Sequence, residues 1–357
     1  MKKKFETLET YRGFAALMIA AIHFKLNTPI VDHFLATGYF VHFFFTLSGF
    51  VIFYNYHDKI VDFFSLKKFV KKRFFRLYPL HLFFLLIFLA IEILRLVVKL
   101  KFNLESNIEP FEINNLNAFL ANIFLIQTFL NENTFNSPSW SISAEFFTYL
   151  VFSLLIFFKH KNILVILTFI LLLIYRMLFP AEFGMSYTYN SFIDCLYCFF
   201  IGALFCKIYL NKFLYFKSQN IRGIVTFLII LMTFISLKYY QTSHRIYVPF
   251  IFGLLIFFSA DLDNSSIIGR ILSNKFATYI GKISYSIYLS HLFIFWVVTQ
   301  ILRFLLNIKT YVDEETNFVK LDLDIYAASL VAIICYILTI LFSHYTFKYI
   351  EMKFYKK

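Results

Sequence analysis

Repeated apolar runs of about 20 residues constrain this chain more than any other feature of its sequence. A bilayer core is about 30 Å thick, and a helix needs about 20 predominantly apolar residues to cross it. Of the 357 residues, 60% are hydrophobic and only 15% are charged. A soluble globular protein usually carries about 25% charged residues. The sequence therefore predicts an all-α fold, a polytopic transmembrane helix bundle.

Ten of the runs are identified as spans, and one further run is ambiguous. The ten spans cover residues 10–27, 38–56, 74–99, 140–158, 162–179, 190–210, 222–239, 246–260, 283–306 and 325–348. The ambiguous run, 116–131, is short and flanked by polar residues. The first run follows MKKK without a small-residue cleavage site, so we expect it to remain a span and not to act as a signal peptide.

The distribution of Lys and Arg indicates whether 116–131 crosses, because cytoplasmic loops are enriched in these residues. If the N-terminus is cytoplasmic and 116–131 does not cross, 24 of the 34 Lys and Arg residues lie on the cytoplasmic side. If it does cross, the split becomes 17 to 17. We therefore expect about ten spans, both termini cytoplasmic, and a re-entrant or interfacial segment at 116–131. Residues 1–357 leave no room for a soluble domain, so we expect one membrane-embedded domain.

The net charge of +13 is explained by the basic loops of a membrane protein, which also meet anionic headgroups. We therefore expect membrane lipids as partners and no nucleic acid. The four cysteines do not form the two pairs of a zinc site, so we expect no metal and interpret them as small buried residues.

Two ionisable side chains, which are energetically unfavourable inside a bilayer, lie in the first span, within LETYRGFAALMIAAIHF. Arg12 and His23 are eleven residues apart, which places them on one helix face about 16 Å apart along its axis. Arg12 would then lie at the cytoplasmic boundary and His23 near the bilayer midplane. Each has a structural alternative, as a boundary anchor or as a buried interhelix histidine. Ionisable groups at this depth are nevertheless usually functional.

Other polar residues are expected near the level of His23. Ser141 and Glu145 are four residues apart, hence on one helix face, and Glu145 lies about 10 Å below the outer boundary. A carboxylate beside a histidine fixes its tautomer and raises its basicity. Ser48 and His291 reach a similar depth from opposite sides, and we interpret both as supporting residues, because such groups more often join helices.

The basic stretch KKFVKKRFFRLYP is on the same side as Arg12. Arg73 and Arg76 are three residues apart, so they share a helix face. A guanidinium group can bind two phosphate oxygens at once. Membrane topology and contact with lipid headgroups explain the positive charge of this stretch equally well. A phosphopantetheine coenzyme has phosphates at one end and a thioester on a thin arm. Its phosphates would lie near Arg12 and its thioester near His23. The spacing therefore suits acyl transfer from acyl-CoA.

Five motifs occur together over nearly the whole chain. They are LETYRGFAALMIAAIHF, with Arg12 and His23; VHFFFTLSGFVI, with Ser48; RFFR, with Arg73 and Arg76; SWSISAEF, with Trp140, Ser141 and Glu145; and ISYSIYLSH, ending in His291. In this order the sequence resembles the membrane acyltransferase-3 family, bacterial O-acyltransferases that modify surface and secreted glycans. One departure is Phe40-Val41-His42, where many members have Gly-Val-Asp.

The resemblance implies a function and a set of roles. It implies a multi-pass protein of the bacterial inner membrane that transfers an acyl group, most simply acetyl, from cytoplasmic acyl-CoA to a sugar hydroxyl of a glycan or lipid-linked sugar. Acetyl-CoA would be a co-substrate, with no permanently bound cofactor. His23 and Glu145 would be catalytic, and Arg12, Arg73 and Arg76 would hold the coenzyme. The competing hypotheses are a glycan transporter or flippase, and an inactive membrane scaffold.

Overall fold

The computed structural model describes residues 5–24, 37–103, 108–179, 189–212, 218–239, 246–312 and 319–355. Within these ranges the chain is almost entirely helical. The helices are α1 (Glu6–Phe24), α2 (Phe40–Tyr56), α3 (Phe63–Phe102), α4 (Leu116–Ile123), α5 (Gln127–Leu130), α6 (Trp140–Phe157), α7 (Lys161–Leu178), α8 (Tyr189–Leu210), α9 (Gln219–Lys238), α10 (Val248–Ala260), α11 (Ile267–Leu272), α12 (Lys275–Lys282), α13 (Ser284–Phe304), α14 (Ile325–Thr346) and α15 (Met352–Tyr355).

Seven helices in the described ranges are long and apolar enough to cross a bilayer. They comprise α3, Ser137–Phe157, α7, α8, α9, α13 and Ile325–Phe354. Two further apolar helices, α2 and α10, are shorter, and α1 has 19 residues with Glu6 and Glu9 in its first turn. The predicted all-α membrane bundle is therefore confirmed at the level of its architecture.

The longest helix, α3, extends well beyond the span predicted at 74–99. It has 40 residues and is therefore about 60 Å long, twice the thickness of a bilayer core. Its start is fixed by a capping box, in which the Asp62 side chain accepts from the Ser65 backbone N–H and Ser65 reaches back to Asp62. At the other end, the buried Glu92 carboxylate accepts hydrogen bonds from Arg95 and Asn114 at 2.9 and 2.8 Å.

Segment 116–131 does not form a helix of span length. It contains α4 and α5, of eight and four residues, which are joined by a turn at Leu125 with a positive φ. An eight-residue helix rises only about 12 Å. The one departure from an all-helical fold in the described ranges is a hairpin of β1 (Thr310–Val312) and β2 (Val319–Leu321), paired antiparallel. Its connecting residues lie outside the described part.

The helices are held together by close backbone contact as well as by aromatic packing. Helices α2 and α8 approach most closely where Gly49 faces the backbone of Phe199 and Gly202 faces the backbone of Thr46. A Cβ at either glycine would overlap a carbonyl oxygen. Small residues allow such approach in membrane bundles, and the neighbouring Phe50, Phe199 and Phe200 belong to the main hydrophobic core.

Candidate active site

The histidine of the first span lies beside the histidine that ends the last sequence motif. Nδ1 of His23, in α1, is 3.1 Å from Nε2 of His291, in α13, and the ring centroids are 5.0 Å apart. Gly13 and Gly281 are in contact ten residues earlier on each side, so α1 runs parallel to α12 and α13. The absence of side chains at Gly13 and Gly281 brings the two histidines within hydrogen-bonding distance.

The two histidines differ in burial. His291 is completely buried, and its Nδ1 is 3.2 Å from the carbonyl oxygen of Ile287. The adjacent Ser290 is hydrogen-bonded to Ser343 of α14 at 2.9 Å. His23 is only partly buried, and its Nδ1 is also 3.1 Å from the carbonyl oxygen of Ile19. His23 is therefore the more accessible ring, and His291 is its fixed neighbour.

The Glu145 carboxylate lies in a second polar cluster, formed by α2 and α6. Its Oε1 accepts a hydrogen bond from Ser48 Oγ at 2.9 Å and another from the hydroxyl of Tyr149, one turn further along α6. Ser48 Oγ and the Tyr149 hydroxyl are themselves 2.7 Å apart. Glu145 is thus held by two hydroxyl groups, its expected contact with His23 stays a prediction, and His291 is a neighbour of His23 that we did not expect.

Arg73 connects this cluster to the start of α3. Its Nη2 donates to the Tyr56 hydroxyl at 3.1 Å, and its guanidinium lies 5.2 Å from the Tyr56 ring centroid and 5.8 Å from that of Tyr149. Both distances are within cation–π range. A positive charge is therefore adjacent to the ring of Tyr149, one of the two residues that hold Glu145.

Arg76, one turn further along α3, points to a different neighbour. Its Nη1 is paired with the carboxylate of Glu351, which also accepts a hydrogen bond from Ser286 at 3.1 Å. The guanidinium lies 5.5 Å from the Tyr285 ring centroid. Glu351 ends a single π-helical segment, Phe347–Glu351, of the kind often found at functional sites. No motif of the sequence indicates this carboxylate.

Arg12 is at the opposite end of α1 from His23. Its Nη1 is 3.0 Å from Glu9 Oε2, and the two side chains are 26% and 23% exposed. At this exposure the ion pair contributes little to stability, so the guanidinium can change partners at low cost. Its expected role in binding the coenzyme stays a prediction.

Trp140 and Ser141 join the start of α6 to α13. Ser141 Oγ is 2.9 Å from the Tyr288 hydroxyl, which donates to the carbonyl oxygen of Pro138 at 2.8 Å. Trp140 is buried and contacts Phe45 edge to face, with centroids 6.2 Å apart. Because Tyr288 precedes His291 by one turn, these contacts help to fix the helix that presents His291.

An apolar cavity of about 200 Å³ lies between α1, α2, α9 and α10. Its lining includes Tyr11, Phe14 and Phe43. Phe14 and His23 are nine residues apart, which corresponds to opposite faces of a helix. This cavity is therefore separate from the face of α1 that carries Arg12 and His23.

The described residues contain no group of three or more His, Cys, Asp or Glu side chains that could hold a metal ion. The four cysteines, Cys195, Cys198, Cys206 and Cys335, are all buried and not disulfide-bonded. Cys195 accepts a hydrogen bond from Thr148 at 3.2 Å. The polar chemistry of the site is thus carried by imidazole, carboxylate, hydroxyl and guanidinium groups.

Sequence comparison finds a matching family and a curated relative. The family described as "Acyltransferase domain" matches residues 5–348. An acyltransferase of Streptomyces mycarofaciens, MdmB, is 32% identical over 164 residues, which are 42% of this chain and 39% of that protein. The chain thus covers well under half of the length of this relative, and no solved structure matches. Because the family match covers nearly the whole chain, the expected family is confirmed, and the protein belongs to the acyltransferase-3 family.

Proposed function

We propose that the protein is a membrane-bound O-acyltransferase. It moves an acyl group, most simply acetyl, from cytoplasmic acyl-CoA to a sugar hydroxyl of a cell-surface or lipid-linked glycan. The observation that carries the proposal is the partly buried imidazole of His23, held against His291, on a helix whose other end carries Arg12. Family membership supports acyl transfer as the reaction.

His23 acts as the general base in this proposal. It takes the proton of the sugar hydroxyl while the hydroxyl oxygen forms a C–O bond to the thioester carbonyl carbon. The C–S bond then breaks, and the departing coenzyme thiolate takes the proton from the imidazolium. The same ring position also allows transfer through an acyl group carried briefly on His23. Glu145 is a second acid–base group, oriented by Ser48 and Tyr149.

The coenzyme phosphates are bound by arginines at the other end of the site. Arg73 and Arg12 supply positive charge close to the membrane boundary, and guanidinium groups suit phosphate oxygens. The charge of Arg76 is partly compensated by its ion pair with Glu351, which reduces its own attraction of an anion. A phosphopantetheine arm then extends along the face of α1 that carries Arg12 and His23.

The proposed topology has about ten spans and both termini in the cytoplasm of a bacterial inner membrane. The excess of Lys and Arg in alternate loops supports it. In this topology the short helices of 116–131 do not cross, and residues 1–357 form a single membrane-embedded domain. The basic start of α3, with Lys67, Lys68, Lys71 and Lys72 exposed, then meets anionic headgroups.

The activity is tested by comparing the surface glycans of the source bacterium with those of a deletion strain, using mass spectrometry. We expect the deletion strain to lose one type of acyl substituent and to keep the full-length glycan at its surface. The wild-type gene restores the substituent, and a His23→Ala gene does not. Loss of the whole glycan from the surface would instead indicate a flippase and would overturn the proposal.

A further inference from the structure

The hydrogen bonds around His23 and His291 define where each ring carries its proton. Nδ1 of His23 faces the carbonyl oxygen of Ile19 at 3.1 Å, and Nδ1 of His291 faces the carbonyl oxygen of Ile287 at 3.2 Å. A carbonyl oxygen only accepts hydrogen bonds, so each Nδ1 must be the protonated nitrogen. A neutral imidazole has a single N–H, so the lone pair of each ring is at Nε2.

The contact between the two rings fits this assignment. Nε2 of His291 is 3.1 Å from Nδ1 of His23, so the lone pair of His291 accepts from the Nδ1–H of His23. This proton is shared between Nε2 of His291 and the carbonyl oxygen of Ile19. With the other tautomer of His23, its Nδ1 lone pair would face two further lone pairs without a proton between them.

The surroundings of His291 fix the position of its ring. Its side chain is completely buried, and its own Nδ1–H is held by the preceding turn of α13. Helix α13 is fixed on one side by Tyr288 against Ser141, at 2.9 Å, and on the other by Ser290 against Ser343, at 2.9 Å. The acceptor that His23 meets is therefore pre-organised.

We propose that His291 is a positioning residue that holds His23 in the Nδ1–H tautomer and thereby makes Nε2 of His23 the base. The proposal rests on the proposed function for its catalytic consequence. It gives His291 the part that a carboxylate has in a Ser-His-Asp triad, where the third group sets the tautomer and orientation of the imidazole. When His23 takes a proton at Nε2, its Nδ1–H donates more strongly to His291, which stabilises the imidazolium.

Two substitutions of His291 separate positioning from simple packing. In His291→Gln, the amide oxygen reaches the place of Nε2 and accepts a hydrogen bond, whereas His291→Leu has a similar volume and no acceptor. With purified protein in vesicles and acetyl-CoA as donor, we expect His291→Leu to lower kcat by about 10²-fold or more. We expect KM for acetyl-CoA to stay within about twofold of the wild-type value. We expect kcat of His291→Gln to be at least about tenfold higher than kcat of His291→Leu.

The matched control is His81→Leu, which removes another buried histidine, in α3, that faces the carbonyl oxygen of Asn122 at 3.0 Å. This variant should keep the wild-type kcat per folded molecule. Equal loss in His291→Leu and His291→Gln, or a rise in KM with unchanged kcat, would show that His291 has only a packing role.

A second measurement tests the tautomer without any activity. In wild-type protein labelled with ¹⁵N-histidine, the signals of His23 are identified by their loss in His23→Gln. We expect a protonated Nδ1 and an unprotonated Nε2. An Nε2–H tautomer would overturn the inference even if the enzyme is active. Conversely, the expected tautomer in a protein that transfers no acyl group would leave the positioning inference in place and overturn the proposed function.

Discussion

Two arginines that look equivalent in the motif RFFR have different electrostatic surroundings. Arg73 donates to the Tyr56 hydroxyl and lies against the Tyr56 ring. Arg76 is paired with Glu351, whose side chain is only 2% exposed. Because Arg76 is one partner of a buried ion pair, its removal leaves a charged carboxylate inside the protein without that partner.

Removal of Arg76 should therefore act on folding more than on coenzyme binding. Arg76→Met leaves the Glu351 carboxylate buried without its ion-pair partner, although the hydrogen bond from Ser286 remains. Breaking a buried ion pair in this way costs about 3–5 kcal/mol. We expect a much lower melting temperature for Arg76→Met, measured on detergent-purified protein. The double variant Arg76→Met, Glu351→Leu should recover most of the loss, since replacing both partners by apolar groups is often nearly neutral.

Arg73→Met is the comparison variant at the matching position. It should raise KM for acetyl-CoA, because the proposed role of Arg73 is to bind the coenzyme phosphates. A double variant no more stable than Arg76→Met would contradict the account of the Arg76–Glu351 pair.

At the scale of elements, the crossing of α2 and α8 explains why a glycine follows Ser48. Gly49 lets the backbone of α2 touch the backbone of α8 at Phe199. This close approach sets the position of α2, and with it the position of Ser48 opposite Glu145. The sequence LSGF thus combines a helix contact with a hydrogen bond to the proposed catalytic carboxylate.

A methyl group at this crossing should separate the two helices. Gly202→Ala places a Cβ on the carbonyl oxygen of Thr46, and we expect it to destabilise the protein by at least about 2 kcal/mol, as overpacking of a core does. The control is Gly223→Ala, where the nearest atoms are 3.2 and 3.3 Å away in the Ser266 side chain. Alanine is the better helix former by about 1 kcal/mol.

We therefore expect Gly223→Ala to melt close to the wild-type temperature and Gly202→Ala to melt well below it. Both are measured by thermal unfolding in the same detergent. Equal melting temperatures for the two variants would mean that α2 and α8 are not in backbone contact.

At the scale of the whole molecule, most of the helical architecture could be predicted from the sequence. Apolar runs gave the bounds of the helices closely, as for 140–158 and Trp140–Phe157 or 190–210 and Tyr189–Leu210. Hydropathy works well here because a bilayer requires apolar segments of a fixed length. It did not predict the extra length of α3, since polar helical turns outside the hydrocarbon carry no apolar signal.

Individual residues of the candidate site could be proposed from the sequence, but the contacts between them could not. Single-helix geometry placed Arg12 and His23 on one face, and chain order alone could not indicate that His291 is the neighbour of His23. Tyr149 follows Glu145 by four residues, and this spacing could have been used to find it. Glu351 could not be found, because its contact with Arg76 depends on the π-helical segment and on how distant helices pack.

The most direct test of the account is transfer of a radiolabelled acetyl group from acetyl-CoA by the purified protein in lipid vesicles, with glycan from the deletion strain as acceptor. We predict that the wild-type protein labels the glycan and that His23→Ala lowers the rate by at least about 10²-fold. His160→Ala, a change at an exposed histidine, should keep the wild-type rate. Equal labelling by the wild-type protein and a folded His23→Ala variant would contradict the central claim that His23 is the base.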